Sequence, residues 1–310
     1  MRPHLLRMLE FKTLTLADRE WMKELCFAEN VPSAGFNFGN IYLWNKHYKQ
    51  LVARFEDRFI TRLKKIGCGN CVAFSFPIGR GPVAPAIEAM RQYTGQEGCG
   101  LVMRGLAEKH CAQLEELYPG RFRFSEDVDY ADYVYLAEKL SSYSGKALHG
   151  KKNHCNRFEA DNDWDFVPLT RELIPECMDM LELWSEENAQ RLDGSVVLEH
   201  DALIKAFAAF EPLGLEGGAL RIQGKIVGFT MGEMTTEDCF DVHFEKARPE
   251  INGAYPMTCR ELTRMLMKKY PQLKYMNREE DMGLEALRKS KLSYKPEMMV
   301  RKFSARWIDG

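Results

Sequence analysis

The chain has 310 residues, of which 45% are hydrophobic and 28% are charged. This composition is typical of a globular protein and argues against a disordered chain, and the length suits two domains that each bury a core. The N-terminal segment MRPHLLRMLEFK lacks the apolar core of a signal peptide, and the uncharged stretch IGCGNCVAFSFPIG is too short to span a bilayer. We therefore expect a cytoplasmic protein without a transmembrane segment. Nine cysteines, an odd number, predict reduced thiols in cores rather than a disulfide framework.

Charge is distributed unevenly along the chain. The formal net charge is −2, but residues 259–306 hold thirteen Lys and Arg residues against six Asp and Glu residues. Such a contrast predicts an anionic ligand near the C-terminal end. A basic helix face exposed to solvent is the alternative, and the sequence leaves both interpretations open.

The first half begins with a strand and a helix over residues 11–29, where Thr15 and Asp18 have the spacing of a capping box. Residues 50–135 then predict a hairpin, a strand, a helix, a strand, a helix and a strand, in that order. The segment GRGP (79–82) precedes the first of these helices, so it could bind an anion or form a plain turn.

A basic connector follows. Residues 145–158 hold four Lys or Arg residues, two His residues and no acidic residue. We place a domain boundary near residue 145, which predicts domains over residues 10–145 and 146–310.

Four side chains of this connector could bind a ligand. Lys151 and Lys152 could hold a phosphate backbone or a polyanionic cofactor, and Asn153 and Asn156 could hydrogen-bond an acyl or amino-acid group. A solvated basic connector is the alternative.

The second half repeats the order of the first. Residues 164–187 again predict a strand and a helix, and residues 219–306 predict a hairpin, a strand, a loop and helix, a strand, a short helix and a strand. A repeated order of elements sets the fold before any single residue is interpreted. An ancient duplication would give this repeat, and so would unrelated α/β segments that share a common order. We expect the second half to carry the site, because the polar strand ends belong to that half.

The loop NGAYP, which includes Asn252, Gly253 and Tyr255, precedes a helix with a buried stripe. A helix N-terminus presents free N–H groups and a partial positive charge, so it can bind phosphate or carboxylate. A plain connection between strand and helix is the alternative.

The strand DVHFE places Asp241, His243 and Glu245 on one face. Three titratable groups on one face could poise a general base. An edge or half-exposed strand with its polar face in water is the alternative, and at this point we favour it.

The segment NREEDMG follows a short strand, and polar residues at the C-terminal end of a strand in an open sheet face the ligand crevice. Glu279, Glu280 or Asp281 could take a proton from an attacking amine, and Arg278 could hold a phosphate or carboxylate. The alternative is that the acids only cap the next helix.

Cys68 and Cys71 have C-x-x-C spacing, but no second pair supplies the four ligands of a zinc site. We expect no metal site, and zinc or redox use of this pair is the weaker alternative.

The strand–loop–helix order of each half resembles the GNAT acyltransferase fold, in which two splayed strands and the following helix N-terminus hold an acyl donor. Three segments resemble the C-terminal family of phosphatidylglycerol lysyltransferases, in its soluble branch: KKNHCNRF (151–158), HFEKA (243–247) and NREEDMGLEALRKSKLSYKPEMMVRKF (277–303). The resemblance covers most of the chain and is most specific from NREEDMG to SYKP. That family is related to the Fem-type transferases, which join two GNAT-like domains.

The resemblance implies an α/β (α+β) fold of tandem GNAT-like domains, each with a mixed, mostly antiparallel sheet flanked by helices. It implies transfer of an acyl or amino-acid group, from aminoacyl-tRNA or an acyl-CoA, to a small amine. A non-catalytic GNAT-like module that binds an anionic ligand is the alternative.

Roles for the candidate residues follow from this activity. Glu279 or a neighbouring acid would remove the amine proton. Backbone N–H groups near Phe244 to Lys246 and the helix start near Tyr255 would stabilise the oxyanion. Lys151, Lys152 and Arg278 would hold the anionic part of the donor.

The sequence departs from these relatives in three places. The membrane-embedded half of the lipid lysyltransferases is absent, which argues against phosphatidylglycerol as acceptor. The glycine-rich pyrophosphate loop of coenzyme A users is reduced to INGAYP, and no heptad insertion supplies a coiled-coil arm for tRNA. The sequence therefore leaves the donor open between coenzyme A and aminoacyl-tRNA.

Overall fold

The structure is a computed structural model that describes residues 8–63, 71–187 and 194–308. The chain folds into two compact units: Met1–Ala131 together with Val300–Gly310, and Asp132–Met299. In the described part of the chain, no helix is both long and apolar enough to cross a membrane.

Both units contain strands and helices. The strands are β1 (Lys12–Thr13), β2 (Leu51–Phe55), β3 (Arg58–Leu63), β4 (Ala73–Phe74), β5 (Ile78–Gly79), β6 (Val102–Leu106), β7 (Phe122–Glu126), β8 (Asp132–Leu136), β9 (Trp164–Pro168), β10 (Glu216–Ile222), β11 (Lys225–Met234), β12 (Cys239–Ala247), β13 (Tyr275–Asn277), β14 (Met298–Val300) and β15 (Phe303–Trp307). The helices are α1 (Arg19–Glu29), α2 (Phe38–Tyr48), α3 (Ala84–Gln96), α4 (Glu108–Leu117), α5 (Ala137–Ser142), α6 (His149–Asp161), α7 (Ile174–Glu187), α8 (Gly194–Ala208), α9 (Phe210–Leu213), α10 (Ala254–Lys269) and α11 (Glu285–Ser293).

The first sheet has the strand order β1-β2-β3-β4-β6-β15-β7, with β5 paired to β3. Its one parallel pair among the described residues is β4–β6, and α3 lies between these two strands in sequence. The capping box predicted before α1 is confirmed, because the Thr15 backbone N–H donates to Asp18 Oδ2 at 3.0 Å.

The second sheet has the order β14-β8-β13-β12-β11-β10-β9. Here β12 and β13 form the parallel pair, and α10 lies between them in sequence. Each unit therefore contains an antiparallel hairpin followed by a strand, a helix and a parallel strand, as the sequence predicted.

Two strands differ from the predicted domain membership. The expected domains were 10–145 and 146–310, but β8 pairs with β13 of the second sheet, and β15 lies between β6 and β7 of the first. The compact units accordingly change at Ala131 and again at Val300. A local alternating pattern predicts a strand but not its pairing partner. For this reason the sequence assigned β8 and β15 to the wrong domains.

The core of the second unit forms on α10. Cys259, Leu262 and Leu266, which belong to the predicted apolar stripe, are buried in one cluster with Phe240 and Met276 from the central strands. Burying each large apolar side chain contributes about 1.5–3 kcal/mol. This packing fixes α10 beneath the strands that carry the polar residues.

The prediction that the cysteines are reduced thiols is wrong for one pair. Cys71 and Cys99 form a disulfide with their Cα atoms 5.7 Å apart. They precede β4 and β6, and the pairing of these two strands brings them together. Cys68, the other half of the C-x-x-C motif, lies outside the described residues.

The GRGP segment is held as a turn. The Arg58 guanidinium donates hydrogen bonds to the carbonyl oxygens of Pro77, Gly81 and Pro82. Within the segment, the carbonyl groups of Gly81 and Pro82 bind the Arg58 cation. This agrees with the interpretation of GRGP as a plain turn.

Candidate functional site

The central strands of the second sheet separate part-way along their length. β13 pairs with β12 only from Cys239 to Asp241. The chain then turns away from β12, although Arg278 and Glu279 still form backbone hydrogen bonds with Tyr133 of β8. In the described ranges no strand pairs with β12 on that side beyond Asp241. The second half of β12 therefore faces an opening, and the residues after β13 line it.

His243 lies at the start of this opening among three carboxylates. Its Nδ1 is 3.0 Å from Glu279 Oε1 and 3.7 Å from Asp241 Oδ2, and its Nε2 is 3.4 Å from Glu233 Oε1. We call Glu233, Asp241, His243 and Glu279 the histidine cluster. It joins residues from β11, β12 and the loop after β13.

A close approach of two backbones brings Glu233 into this cluster. The register of β11 and β12 shifts between Met231 and Gly232, and Glu233 then lies opposite Asp241. A Cβ atom at Gly232 would lie 1.8 Å from the carbonyl oxygen of Asp241, so only glycine fits. Bulges of this kind re-aim side chains next to functional sites.

Burial sets the protonation of the histidine cluster. Burial alone would lower the pKa of His243, but the Glu233 and Glu279 carboxylates raise that pKa well above its usual value. Asp241 is fully buried, and burial together with the Glu279 charge raises the pKa of its carboxyl well above the usual range. The sequence favoured an edge or half-exposed strand whose polar face lies in water. This is wrong, because β12 is a central strand and its Asp241 and His243 are buried.

Of these four side chains, Glu279 is the most exposed. Its side chain is 15% accessible, against 4% or less for the other three. An amine entering at the opening would meet this carboxylate first.

A second polar pair lies on the other face of β12. The sequence placed Glu245 on one face with Asp241 and His243, but β12 has an extra residue at His243 opposite β11, so Glu245 lies on the α10 side with Ala247. Arg278 Nη2 donates to Glu245 Oε1 at 2.6 Å, and burial raises the pKa of Glu245 although Arg278 opposes the effect. Arg278 Nη1 and Glu245 Oε2 are buried and have no hydrogen-bond partner among the described residues. Buried polar atoms are nearly always paired, so these two indicate a place for a polar ligand.

Lys151 adds a second cation to this pair. Its Nζ lies 3.8 Å from the centre of the Tyr294 ring, and the Arg278 guanidinium lies 4.4 Å from the same ring. Within the described ranges, Lys151 forms no ion pair with a carboxylate. Burial and the Arg278 charge lower the pKa of Lys151. Two cations against one carboxylate favour an anionic ligand here.

The three acids after β13 differ in their surroundings. Asp281 accepts hydrogen bonds from Arg288, the Tyr133 hydroxyl and the backbone N–H of Gly283. Burial would raise the pKa of Asp281, but Arg288 and Tyr133 lower it to about 2. Asp281 thus anchors the start of α11. At Glu280, the backbone carbonyl oxygen accepts a hydrogen bond from Lys291 Nζ at 2.6 Å.

The start of α10 offers few hydrogen-bond donors. The N–H of Ala254 already donates to the carbonyl oxygen of Ile251, and Pro256 has none. Gly253 has φ +88°, and a Cβ there would lie 2.6 Å from the carbonyl oxygen of His154, so this glycine allows α6 to pack closely. Asn252 Oδ1 accepts a hydrogen bond from His154 Nδ1 at 2.7 Å.

The remaining candidates have surroundings of their own, although the Phe244 ring centre lies 6.5 Å from that of His243. Lys246 forms an ion pair with Glu199 at 2.8 Å and lies over the Trp184 ring, while Phe244 is buried. Tyr255 is partly buried at the start of α10, and burial raises its pKa. The side chains of Lys152, Asn153 and Asn156 are exposed on α6.

The histidine cluster also has the spacing of a small cation site. Ligand atoms of Asp241, His243 and Glu279 all lie within 4.8 Å of one another. A metal ion held here would need His243 Nδ1 without its proton.

Comparison with known proteins now gives the family. The sequence model of the family "Phosphatidylglycerol lysyltransferase, C-terminal" matches residues 29–306. The chain belongs to this family. An uncharacterised protein from Mycoplasmoides gallisepticum is 26% identical over 183 residues, 57% of this chain and 56% of that protein. The chain thus spans a little over half the length of that curated relative.

Solved structures agree with this assignment. A conserved protein of unknown function from Bacteroides thetaiotaomicron is 35% identical, with a TM-score of 0.90 over 97% of this chain and 100% of that one. The C-terminal domain of a candidate lysylphosphatidylglycerol synthetase from Agrobacterium fabrum has a TM-score of 0.61 at 14% identity, covering 95% and 93%. FemX has a TM-score of 0.56 at 10% identity, covering 95% and 96%.

The last two likenesses show the fold alone. The predicted fold is confirmed: both units are mixed α/β folds of the tandem GNAT and Fem type. The family is named for a lysyltransferase, which is a transferase.

The sequence missed Glu233 and Lys291. Glu233 could have been found as an acid in the otherwise apolar run KIVGFTMGEM, opposite the polar face of DVHFE. For Lys291 the sequence held no local signal, because its partners are backbone carbonyl groups.

Proposed function

We propose that this protein transfers an aminoacyl group from aminoacyl-tRNA to a small amine, with Glu279 as the general base. The observation that carries the proposal is the contact of the partly accessible Glu279 carboxylate with buried His243, at the opening beside β12. Family membership and the GNAT-like fold support an acyl transfer.

The reaction is a direct displacement. Glu279 takes one proton from the amine, the amine nitrogen bonds to the ester carbonyl carbon, and a tetrahedral oxyanion forms. Collapse breaks the bond to the ribose oxygen, which receives the proton held by Glu279. His243 keeps the carboxylate oriented between turnovers.

The oxyanion would bind backbone N–H groups of β12. Between Phe244 and Lys246 no strand in the described part of the chain pairs with this edge, so donors there can reach a ligand. The start of α10 near Tyr255 lies at the end of the loop that follows β12. Fixed donors of this kind are worth about 10²–10³-fold in rate each.

The anionic part of the donor would bind Arg278 and Lys151. Both cations lie over the Tyr294 ring, and Arg278 Nη1 is buried without a partner in the described chain. Lys152, Asn153 and Asn156 are exposed on α6 and would contact a large donor beyond this point.

Aminoacyl-tRNA is favoured over coenzyme A as donor. A pyrophosphate needs several free N–H groups at a helix start, and α10 has lost two of these through Ala254 and Pro256. An aminoacyl-tRNA donor also agrees with the cytoplasmic location expected from the sequence.

A donor panel tests the proposal. The protein is incubated with radiolabelled aminoacyl-tRNA or acetyl-coenzyme A and a mixture of small amines, and both binding and product are measured. Turnover with aminoacyl-tRNA supports the proposal. Binding of either donor without turnover would instead establish the non-catalytic binding module.

A further inference from the structure

Lys291, on α11, makes an unusual set of contacts with the loop after β13. Its ammonium donates to the carbonyl oxygens of Arg278 at 2.5 Å, Glu279 at 3.0 Å and Glu280 at 2.6 Å. A lysine ammonium has three protons, so three carbonyl groups use all of them. In the described structure Lys291 forms no ion pair with a carboxylate.

The loop has a backbone that needs such support. Glu279 has φ +57°, in the left-handed region that non-glycine residues rarely adopt. Three successive carbonyl groups that converge on one point also repel one another. A cation at that point removes the repulsion and stabilises the left-handed turn.

The same loop carries the two side chains that face β12. Arg278 reaches Glu245, and Glu279 reaches His243. The far end of the loop is anchored separately, since Asp281 binds Arg288 of α11. Lys291 therefore binds the part of the loop on which both contacts depend, in addition to the backbone hydrogen bonds that join Arg278 and Glu279 to Tyr133 of β8.

We propose that Lys291 is a positioning residue, which holds Glu279 against His243 by binding the carbonyl oxygens of Arg278, Glu279 and Glu280. Its importance for catalysis rests on the proposed function, but its effect on His243 does not. Loss of Lys291 frees the loop to relax, and the Glu279 carboxylate then leaves the imidazole.

Histidine-selective ¹⁵N NMR tests this without a substrate. The His243 signal is assigned with a His243→Gln variant, and the imidazolium-to-imidazole ratio is measured at one alkaline pH in wild type, Lys291→Met and Lys289→Met. Lys289 is an exposed lysine on the same helix and serves as the matched control.

The direction of the change is diagnostic. Removing a nearby cation would by itself favour the imidazolium and raise the ratio. Withdrawal of the Glu279 carboxylate has the opposite effect on the imidazolium-to-imidazole ratio of His243. Loss of one adjacent carboxylate lowers this ratio about tenfold. We expect this fall in Lys291→Met and no change in Lys289→Met. An unchanged or raised ratio in folded Lys291→Met overturns the proposal.

A second variant tests the proposal if Lys291→Met misfolds. If Lys291→Met does not fold, Lys291→Gln keeps an amide that donates to part of the carbonyl set, and a smaller fall is expected. An unchanged or raised ratio in that variant also overturns the proposal. If the ratio falls but wild type transfers nothing, the positioning role stands and the proposed function fails.

Discussion

His243 Nδ1 lies 3.0 Å from Glu279 Oε1, which joins a buried histidine of β12 to the acid that follows β13. Because β12 and β13 pair over only three residues, this contact forms where the strands separate. It is the link between the fold of the second unit and the chemistry proposed for it.

The stability contributed by this contact depends on pH. The folded-state pKa of His243 is raised above its ordinary value of 6.5, so its contribution is complete below pH 6.5 and is lost as pH rises through the folded pKa. We predict that wild type exceeds His243→Gln in free energy of unfolding at pH 6 and that the difference shrinks in alkaline solution. Urea denaturation at several pH values measures it. A difference that grows with pH would show a neutral buried histidine instead.

The Arg278–Glu245 pair predicts a strong coupling. Both side chains are mostly buried, at 14% and 8% exposure, so Arg278→Met leaves a buried carboxylate without its charged partner. We expect a loss of about 3–5 kcal/mol in the free energy of unfolding. The double variant with Glu245→Gln should recover a large part of that loss. Additive losses in urea denaturation would mean that the two side chains do not depend on each other.

Gly253 predicts a steric effect at the contact of α6 with α10. In Gly253→Ala the new Cβ would meet the His154 carbonyl oxygen at 2.6 Å, with φ at +88°. We expect a loss of about 1–3 kcal/mol in the free energy of unfolding. Gly150 lies on α6, the helix that Gly253 contacts, and has open space around the position of a Cβ. Gly150→Ala is the matched control and should be neutral or slightly stabilising. Equal melting temperatures for the two variants would contradict the packing described.

Much of the scaffold could be predicted from the sequence, because hairpins, amphipathic helices and alternating strands leave local patterns. Strand alternation alone placed Asp241, His243 and Glu245 on one face, and this was wrong for Glu245, because β12 holds an extra residue at His243 that no local pattern signals. The pattern could not tell a central strand from an edge strand, and this is why the burial of that face was misjudged. The positions of β8 and β15 were also out of reach, since pairing partners distant in sequence leave no local signal.

The choice among three consecutive acids needed the structure. Glu279, Glu280 and Asp281 have the same chemistry in the sequence, and only their neighbours distinguish them. Asp281 binds Arg288 and Tyr133, whereas Glu279 reaches the opening. We therefore predict that Asp281→Asn lowers stability by about 2 kcal/mol or less, while the folded variant keeps its transfer activity. Parallel denaturation and transfer assays separate the two effects, and an inactive but fully stable Asp281→Asn would reverse the assignment.

The rate of aminoacyl transfer by Glu279→Gln tests the central claim most directly. The amide keeps the size of the side chain but cannot take a proton, so single-turnover transfer from aminoacyl-tRNA should fall by about 10²–10⁴-fold with donor binding retained. Glu285→Gln, an exposed acid at the start of α11, should retain the wild-type rate. Wild-type turnover in Glu279→Gln would contradict the account.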